Sequence, residues 1–253
     1  MVDTPRTIAV GDIHGQLTEL ETLLARLPVL GPSDTLLFIG DYLDRGPDSA
    51  GVVRLIREDL PRRCPARIVA LKGNHESAWA KILAGGDPGF VLPPGNGCLA
   101  TLRSFTGGPA PARGDFPTDR NEMEALTSGS FFPPEIAAWI GSLPHWHEDA
   151  HAIYVHGGLP KRDGGWLHPS VYPDPEALAW CREPAFFSTY RGKRVVFGHT
   201  PATRLPQALS IHTPADPRDL FLAGDVVGID TGCGCGGFLT ALELPSLAVY
   251  ETR

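Results

Sequence analysis

Basic residues are in deficit: 22 Lys and Arg face 29 Asp and Glu, a formal net charge of -7. Affinity for a nucleic-acid backbone rests on a surplus of Lys and Arg, so the deficit excludes a general nucleic-acid binder. It leaves room for a phosphorylated substrate, because a local arginine cluster can oppose the global sign. Long apolar runs are missing too. No stretch approaches the length of about 18 apolar residues that a membrane span needs. The amino-terminal "MVDTPRTIAVGD" has no basic start leading into an apolar core, so it does not read as an export signal. Cysteine is scarce and odd in number: five, with Cys64, Cys98 and Cys181 isolated, which predicts a reduced, cytoplasmic protein. Cys233 and Cys235 lack a second pair, so no structural zinc site is expected. There is no internal repeat and no low-complexity tail, and the expected state is a monomer.

What the chain has in quantity is glycine and proline, 29 and 25 residues, in a composition otherwise ordinary at 42% apolar. "RTIAVGD" (6 to 12) reads as a strand, and "QLTELETLLARL" sets Leu17, Leu20, Leu23, Leu24 and Leu27 at helical spacing. The pattern repeats in "TLLFIGD", the turn "YLDRGPD" and "SAGVVRLIRE", a helix capped by Asp48. A third strand, "RIVALKG" (67 to 73), runs into "NHE". Strands alternating with helices predict an α/β layered fold. Residues 84 to 118 break the pattern with "GGDPG", "LPPGNG" and "TGGPAPARG". These predict an irregular excursion or small cap, and the substrate-recognition surface is expected there. After a helix, "PPEIAAWIGSLP", the chain becomes strand-rich: "AIYVHGG", "RVVFGHT", "VVGIDTG", "FLTALEL" and "LAVYE".

Five strands end alike, in "GDIHG", "GDYLDRG", "GNHE", "HGG" and "GHT". An open α/β sheet binds ligands outside the carboxyl ends of its strands, and glycine lets the backbone turn sharply there. One Asp before Gly is ordinary turn chemistry. Five strand ends with compatible donors predict a metal site. Asp12 and His14, at i and i+2, are expected to face the same way along a strand and to chelate one ion. With Asp41, Asn74, His156 and His199 they form an oxygen and imidazole set suited to Mn²⁺, Fe, Zn²⁺ or Mg²⁺. Six donors exceed one open tetrahedral centre and fit two divalent ions with a bridging aspartate. Such a pair would clamp a phosphoryl oxygen and make hydroxide available near neutral pH. His145, His147, His151, His168 and His212 lack a glycine-flanked strand end and are assigned to structural or surface roles.

With these residues in place, the sequence resembles the phosphoprotein phosphatase family of binuclear metallophosphoesterases, and within it the bacterial serine/threonine phosphatases. The five motifs occur in family order over 11 to 200, and "IDTGCGCGGFLTALEL" extends the likeness to 244. The resemblance implies a calcineurin-like fold, a two-sheet β-sandwich flanked by helices, in a single domain spanning 1–253. By motif, Asp12 and His14 would bind the first metal, Asp41 would bridge, and Asn74, His156 and His199 would bind the second, with Mn²⁺ the expected ion. His75 would be the general acid and Asp44 would orient it, while Arg45 and Arg182 would hold phosphate. Hydroxide held between the ions would attack phosphorus in line. Glu76 is read as favouring the positive end of its helix.

The implied partner is a phosphorylated protein or peptide. Relatives that hydrolyse diadenosine tetraphosphate symmetrically carry alanine where Asp44 stands and "GNHD" in place of "GNHE". The expectation therefore sets a protein phosphatase first, and dinucleotide or small-molecule hydrolysis second. A metal-dependent binding module without catalysis is the reading from another class, but no ligand or acid is missing. The eukaryotic members carry a tyrosine where this chain has "DTGCGCGG", and Cys233 and Cys235 would lie close enough to the metals for oxidation to affect activity.

Overall fold

The computed structural model describes residues 5–212 and 216–253, so the first four residues of the amino-terminal stretch read above lie outside it. The chain opens with two strand–helix units: β1 (Thr7–Val10), α1 (Leu17–Arg26), β2 (Thr35–Phe38) and α2 (Ser49–Arg54). Asp48 caps α2 as expected, accepting the Gly51 N–H at 2.7 Å. A π turn (Leu55–Asp59) leads into α3 (Leu60–Arg63), then β3 (Arg67–Ala70) and α4 (Asn74–Leu83). Next come α5 (Cys98–Thr106), α6 (Arg120–Ser128) and α7 (Pro134–Ser142). The second half holds β4 (Trp146–Glu148), β5 (Ile153–Val155), the hairpin β6 (Lys161–Arg162) and β7 (Gly165–Trp166), α8 (Ala177–Trp180), α9 (Pro184–Thr189), β8 (Val195–Phe197), β9 (Phe221–Ala223), β10 (Val226–Gly228), β11 (Thr240–Leu244) and β12 (Val249–Glu251). No helix among the described residues is long and apolar enough to cross a membrane.

Two five-stranded sheets form, in the orders β12-β11-β1-β2-β3 and β4-β5-β8-β10-β9. β1, β2 and β3 are parallel, as short helical crossovers require, and so are β5, β8 and β10; the outer strands are antiparallel. Side chains alternate along each strand, so one sequence serves two cores. Ala9 and Leu37 point between the sheets, where Tyr154, Val196 and Val227 meet them. Ile8, Val10, Leu36 and Phe38 face the other way, among Leu20 and Leu23 of α1, Val52 and Val53 of α2, and Trp79 of α4. Val155 and Phe197, on the outer side of the second sheet, pack with Leu178 of α8 and Phe186 and Phe187 of α9. This is the expected helix–sheet–sheet–helix arrangement, and it directs the parallel strands of both sheets toward one crest.

Residues 84 to 118 are less irregular than their glycines and prolines predict, because α5 lies inside them. Gly97 and Gly107 bracket that helix in the left-handed region, with φ of 75° and 73°, so two of the glycines that suggested a loop are its stops. The Arg103 guanidinium of α5 meets the Glu122 carboxylate of α6 with two hydrogen bonds, at 2.7 and 3.3 Å. Those bonds and the Thr118 N–H pull the Glu122 carboxyl from 4.5 down to about 2. A depressed folded-state value means the pair stabilises the protein above the unfolded pKa and is lost as pH falls from about 4.5 toward 2. Glu122→Gln is therefore expected to flatten the fall in thermal stability between pH 5 and 3 by about 1–2 kcal/mol, read from melting curves across that range.

Candidate metal centre

All six expected ligands come from the crest, each just beyond a strand. Asp12 and His14 follow β1, Asp41 follows β2, Asn74 opens α4 after β3, His156 follows β5 and His199 follows β8. The strand-alternation argument for Asp12 and His14 does not hold, because β1 stops at Val10 and His14 sits in a turn with φ of 51°. Among the described residues, seven non-glycines have positive φ, and five of them are His14, Asp41, Asp44, Arg45 and His199. Left-handed backbone costs of order 1 kcal/mol or more per residue, so conformational cost is concentrated at this crest. Close packing of the turns holds it there. Gly40, at φ of 115°, approaches Gly73 so closely that a Cβ would lie 2.6 Å from the Gly73 Cα.

Asp41 is the geometric middle. Its Oδ1 lies 3.2 Å from His156 Nε2, and its Oδ2 lies 3.4 Å from His14 Nε2 and 3.9 Å from His75 Nε2. Asn74 Oδ1 is 3.1 Å from His156 Nε2 and 2.7 Å from His199 Nδ1. The Asp12 carboxylate accepts the His199 N–H at 3.0 Å. Two groups of three have donor atoms within 4.8 Å of one another: His14, Asp41 and His75, and Asp41, His156 and His199. They share Asp41.

The residues fit metal ions on their own hydrogen bonding. His14 and His156 each turn Nδ1 toward a backbone carbonyl, that of Leu43 at 2.9 Å and of Ile39 at 3.1 Å. A protonated Nδ1 there leaves the Nε2 lone pair directed at Asp41, the arrangement of a metal-binding imidazole. Lone pairs converging on buried carboxylates call for a cation. In this structure the Arg45 guanidinium supplies one, with Nη1 2.6 Å from His14 Nε2 and Nη2 3.1 Å from His75 Nε2.

The electrostatics agree. Burial and the Asp230 and Asp41 charges hold the Asp12 carboxyl well above the usual range. Burial opposes protonation of His156, yet Asp41 and Asp12 outweigh it and push the imidazole up to about 9. Burial, His156 and Arg182 push His199 down to about 2, so its ring nitrogens stay available. At pH 7 a metal ion must therefore displace at least the His156 proton. Affinity is expected to fall as pH drops below about 9, by about tenfold per unit. Mn²⁺ titration calorimetry in two buffers of different ionisation enthalpy reads that proton directly, and equal apparent heats would contradict it.

His75 and Asp44 form a buried pair, with His75 Nδ1 and Asp44 Oδ2 2.6 Å apart. Three supports of Asp44 were not legible. Thr101 Oγ1 of α5 donates to Oδ1 at 2.6 Å, Trp79 Nε1 of α4 donates at 3.1 Å, and Cys98 Sγ lies 3.4 Å from Oδ2. Glu76 also does more than favour a helix terminus. Its carboxylate accepts the N–H groups of Asp41, Tyr42, Leu43 and Gly73 at 2.8 to 3.2 Å, and so holds the first half of the "GDYLDRG" turn. Its place three residues after Gly73, the acidic end of a capping box, was the available signal. Asp230, buried beyond β10, brings a further carboxylate that sequence reading passed over in "IDTG".

Arg182 reaches the crest, its Nη2 donating to the His199 carbonyl at 3.3 Å. Of the cysteines near it, Cys235 is exposed, with Sγ 3.9 Å from Arg45 Nη1. Cys233 is buried, which raises its thiol pKa and weakens the case for its reversible oxidation. Four of the remaining five histidines have other partners. His168 binds Glu148 at 2.8 Å, His151 meets the Pro5 carbonyl, His147 stacks on Tyr154 and His212 approaches Asp219.

The asymmetrical bis(5'-nucleosyl)-tetraphosphatase PrpE of Halalkalibacterium halodurans is 27% identical over 94% of this chain and 89% of its own. The symmetrical bis(5'-nucleosyl)-tetraphosphatase of Pectobacterium carotovorum is 26% identical over 94% and 91%. In three dimensions, the cold-active protein-tyrosine phosphatase of a psychrophilic Shewanella superposes with a TM-score of 0.57 at 18% identity, covering 99% of this chain and 81% of that one, a likeness of fold. The sequence profile of the calcineurin-like phosphoesterases matches residues 5–203, and with the crest of Asp, Asn and His side chains that those residues build, the chain belongs to that family of metallophosphoesterases.

Proposed function

We propose that the chain hydrolyses phosphoric esters and anhydrides at a two-metal centre, with dinucleoside tetraphosphates as its first substrate class. The convergence of His14, His156, His199 and Asn74 around Asp41 carries the hydrolytic reading. Asp12, His14 and Asp41 would hold one ion, and Asp41, Asn74, His156 and His199 the other. When bound, the ions neutralise phosphoryl charge and make a water acidic enough to attack. The chain supplies the rest. Arg45 and Arg182 flank the centre and would grip phosphoryl oxygens. His75, held through Nδ1 by Asp44, presents Nε2 to donate a proton to the departing oxygen.

The substrate class is supported by the names of relatives matched over nearly the whole chain, whose activity is on dinucleoside tetraphosphates. A phosphoserine or phosphothreonine peptide is the second reading. It is favoured by the buried His75–Asp44 dyad, since an alkoxide needs a proton to leave. Purified protein loaded with Mn²⁺ should release nucleotides from diadenosine tetraphosphate, and chromatography of the products separates ATP plus AMP from two ADP. Faster release of phosphate from a phosphoserine peptide, with the dinucleotide left intact, would establish the second reading. No hydrolysis of either, or of p-nitrophenyl phosphate, would leave only a binding module.

A further inference from the structure

Two cavities open beside the centre, on different sides of it. The first, of about 320 Å³, has Arg45 in its wall, and Arg45 touches His14 and His75, on the Oδ2 side of Asp41. The second, of about 480 Å³, has Arg182 in its wall, and Arg182 binds the carbonyl of His199, which belongs with His156 on the Oδ1 side. Both volumes fall within the range of about 300–1,000 Å³ found for small-molecule sites.

Each cavity carries a further arginine. Arg113 lines the first and Arg204 the second; both are exposed. Neither guanidinium has an ion pair or hydrogen bond with another described residue. Part of the wall of the first cavity is bare backbone, at Gly95, Gly97, Gly234 and Gly236, and part is the start of α5 at Leu99. Backbone walls let a ligand approach closely, and the α5 amino terminus adds its positive dipole to the two arginines. Asp115 is the single acid there, and its Oδ2 is engaged by the Ala112 N–H at 2.8 Å. No acid lines the second cavity, where Phe187 and Leu205 give an apolar surface suited to a base. The Thr200 hydroxyl in that wall is buried without a hydrogen-bond partner.

We infer that the two cavities receive the two ends of one substrate straddling the centre, a dinucleoside polyphosphate whose chain runs from Arg113 and Arg45 to Arg182 and Arg204. A phosphate chain between two nucleosides matches this order of parts: cation-lined cavity, metal centre, cation-lined cavity. Arg113 and Arg204 set the preference for such a substrate over a simple phosphomonoester. The inference rests on the dinucleotide reading above and adds where the substrate lies.

The test is steady-state kinetics of Mn²⁺-loaded wild type, Arg113→Gln and Arg204→Gln on diadenosine tetraphosphate and p-nitrophenyl phosphate. Each substitution is expected to lower kcat/KM for the dinucleotide, relative to that for p-nitrophenyl phosphate, by about tenfold or more, mainly through KM, with the double variant losing the product. Unchanged ratios in both variants, with wild type active on the dinucleotide, would overturn the placement and leave the substrate class standing. Parallel losses on both substrates would also overturn it. A wild type that cleaves p-nitrophenyl phosphate and not the dinucleotide removes the substrate class itself, and the placement with it.

Discussion

Asp41→Asn is expected to lower kcat/KM on every substrate by on the order of 10³-fold or more and to weaken Mn²⁺ binding in proportion. Both carboxylate oxygens of Asp41 are engaged, one toward His156 at 3.2 Å and one toward His14 at 3.4 Å. An amide can turn an oxygen to only one of these sides and brings no charge to either. The fold should survive, since the His75 N–H that Asp41 Oδ1 accepts can be accepted by an asparagine oxygen as well. A second readout follows from electrostatics. Burial is the largest influence on His156 and lowers its pKa, and Asp41 is the first of the carboxylates that raise it to about 9. Removing that charge should move the titration of His156 downward, which NMR of the metal-free variant would follow. A variant that keeps both metal affinity and turnover would exclude Asp41 as the shared ligand.

The second large effect depends on the leaving group. His75→Asn should cost about 10² to 10⁴-fold in kcat on a phosphoserine peptide, the usual range for a lost general acid. On p-nitrophenyl phosphate, whose phenolate departs as a stable anion, the loss should be less than about tenfold. Asp44→Asn should follow the same pattern more weakly, because it removes the partner at 2.6 Å that orients the ring and leaves the ring itself. His75 Nε2 also lies 3.9 Å from Asp41, close enough to belong to a group that could hold a metal. The two roles separate cleanly. A metal ligand would lose both substrates equally, together with Mn²⁺ affinity, whereas an acid loses the poor leaving group selectively.

The crest was legible because its residues are local. Each motif joins a glycine to a donor at the end of an apolar run, and parallel strands bring such ends together without further information. What supports the crest was not legible, since it arrives from far along the chain. Thr101 reaches Asp44 across 57 positions, and Glu76 binds the turn 33 to 35 residues before it. Short edge elements were missed for a different reason. β4 is three residues long and only partly buried, and α6 buries only Leu126, so neither writes a strong periodicity. The pairing of β1 with β11, which completes the first sheet, joins Thr7 to Leu244, and no local pattern announces such a partner. Glu76 shows the cost of reading one residue at a time: its helix position accounts for one of its four N–H partners, that of Gly73.

Helix α5 belongs to the most loop-like part of the sequence, yet its Thr101 and Cys98 touch Asp44, and its first turn walls the cavity that contains Arg113. The proposed recognition surface and the proposed acid pair therefore share a beam. A chimera that exchanges residues 84 to 118 for those of a relative would not transplant selectivity alone, because the graft would also replace two of the groups that hold Asp44. Such grafts should succeed only where the incoming segment restores a hydroxyl at the position of Thr101, a constraint that couples drift in the recognition segment to the preservation of chemistry beneath it.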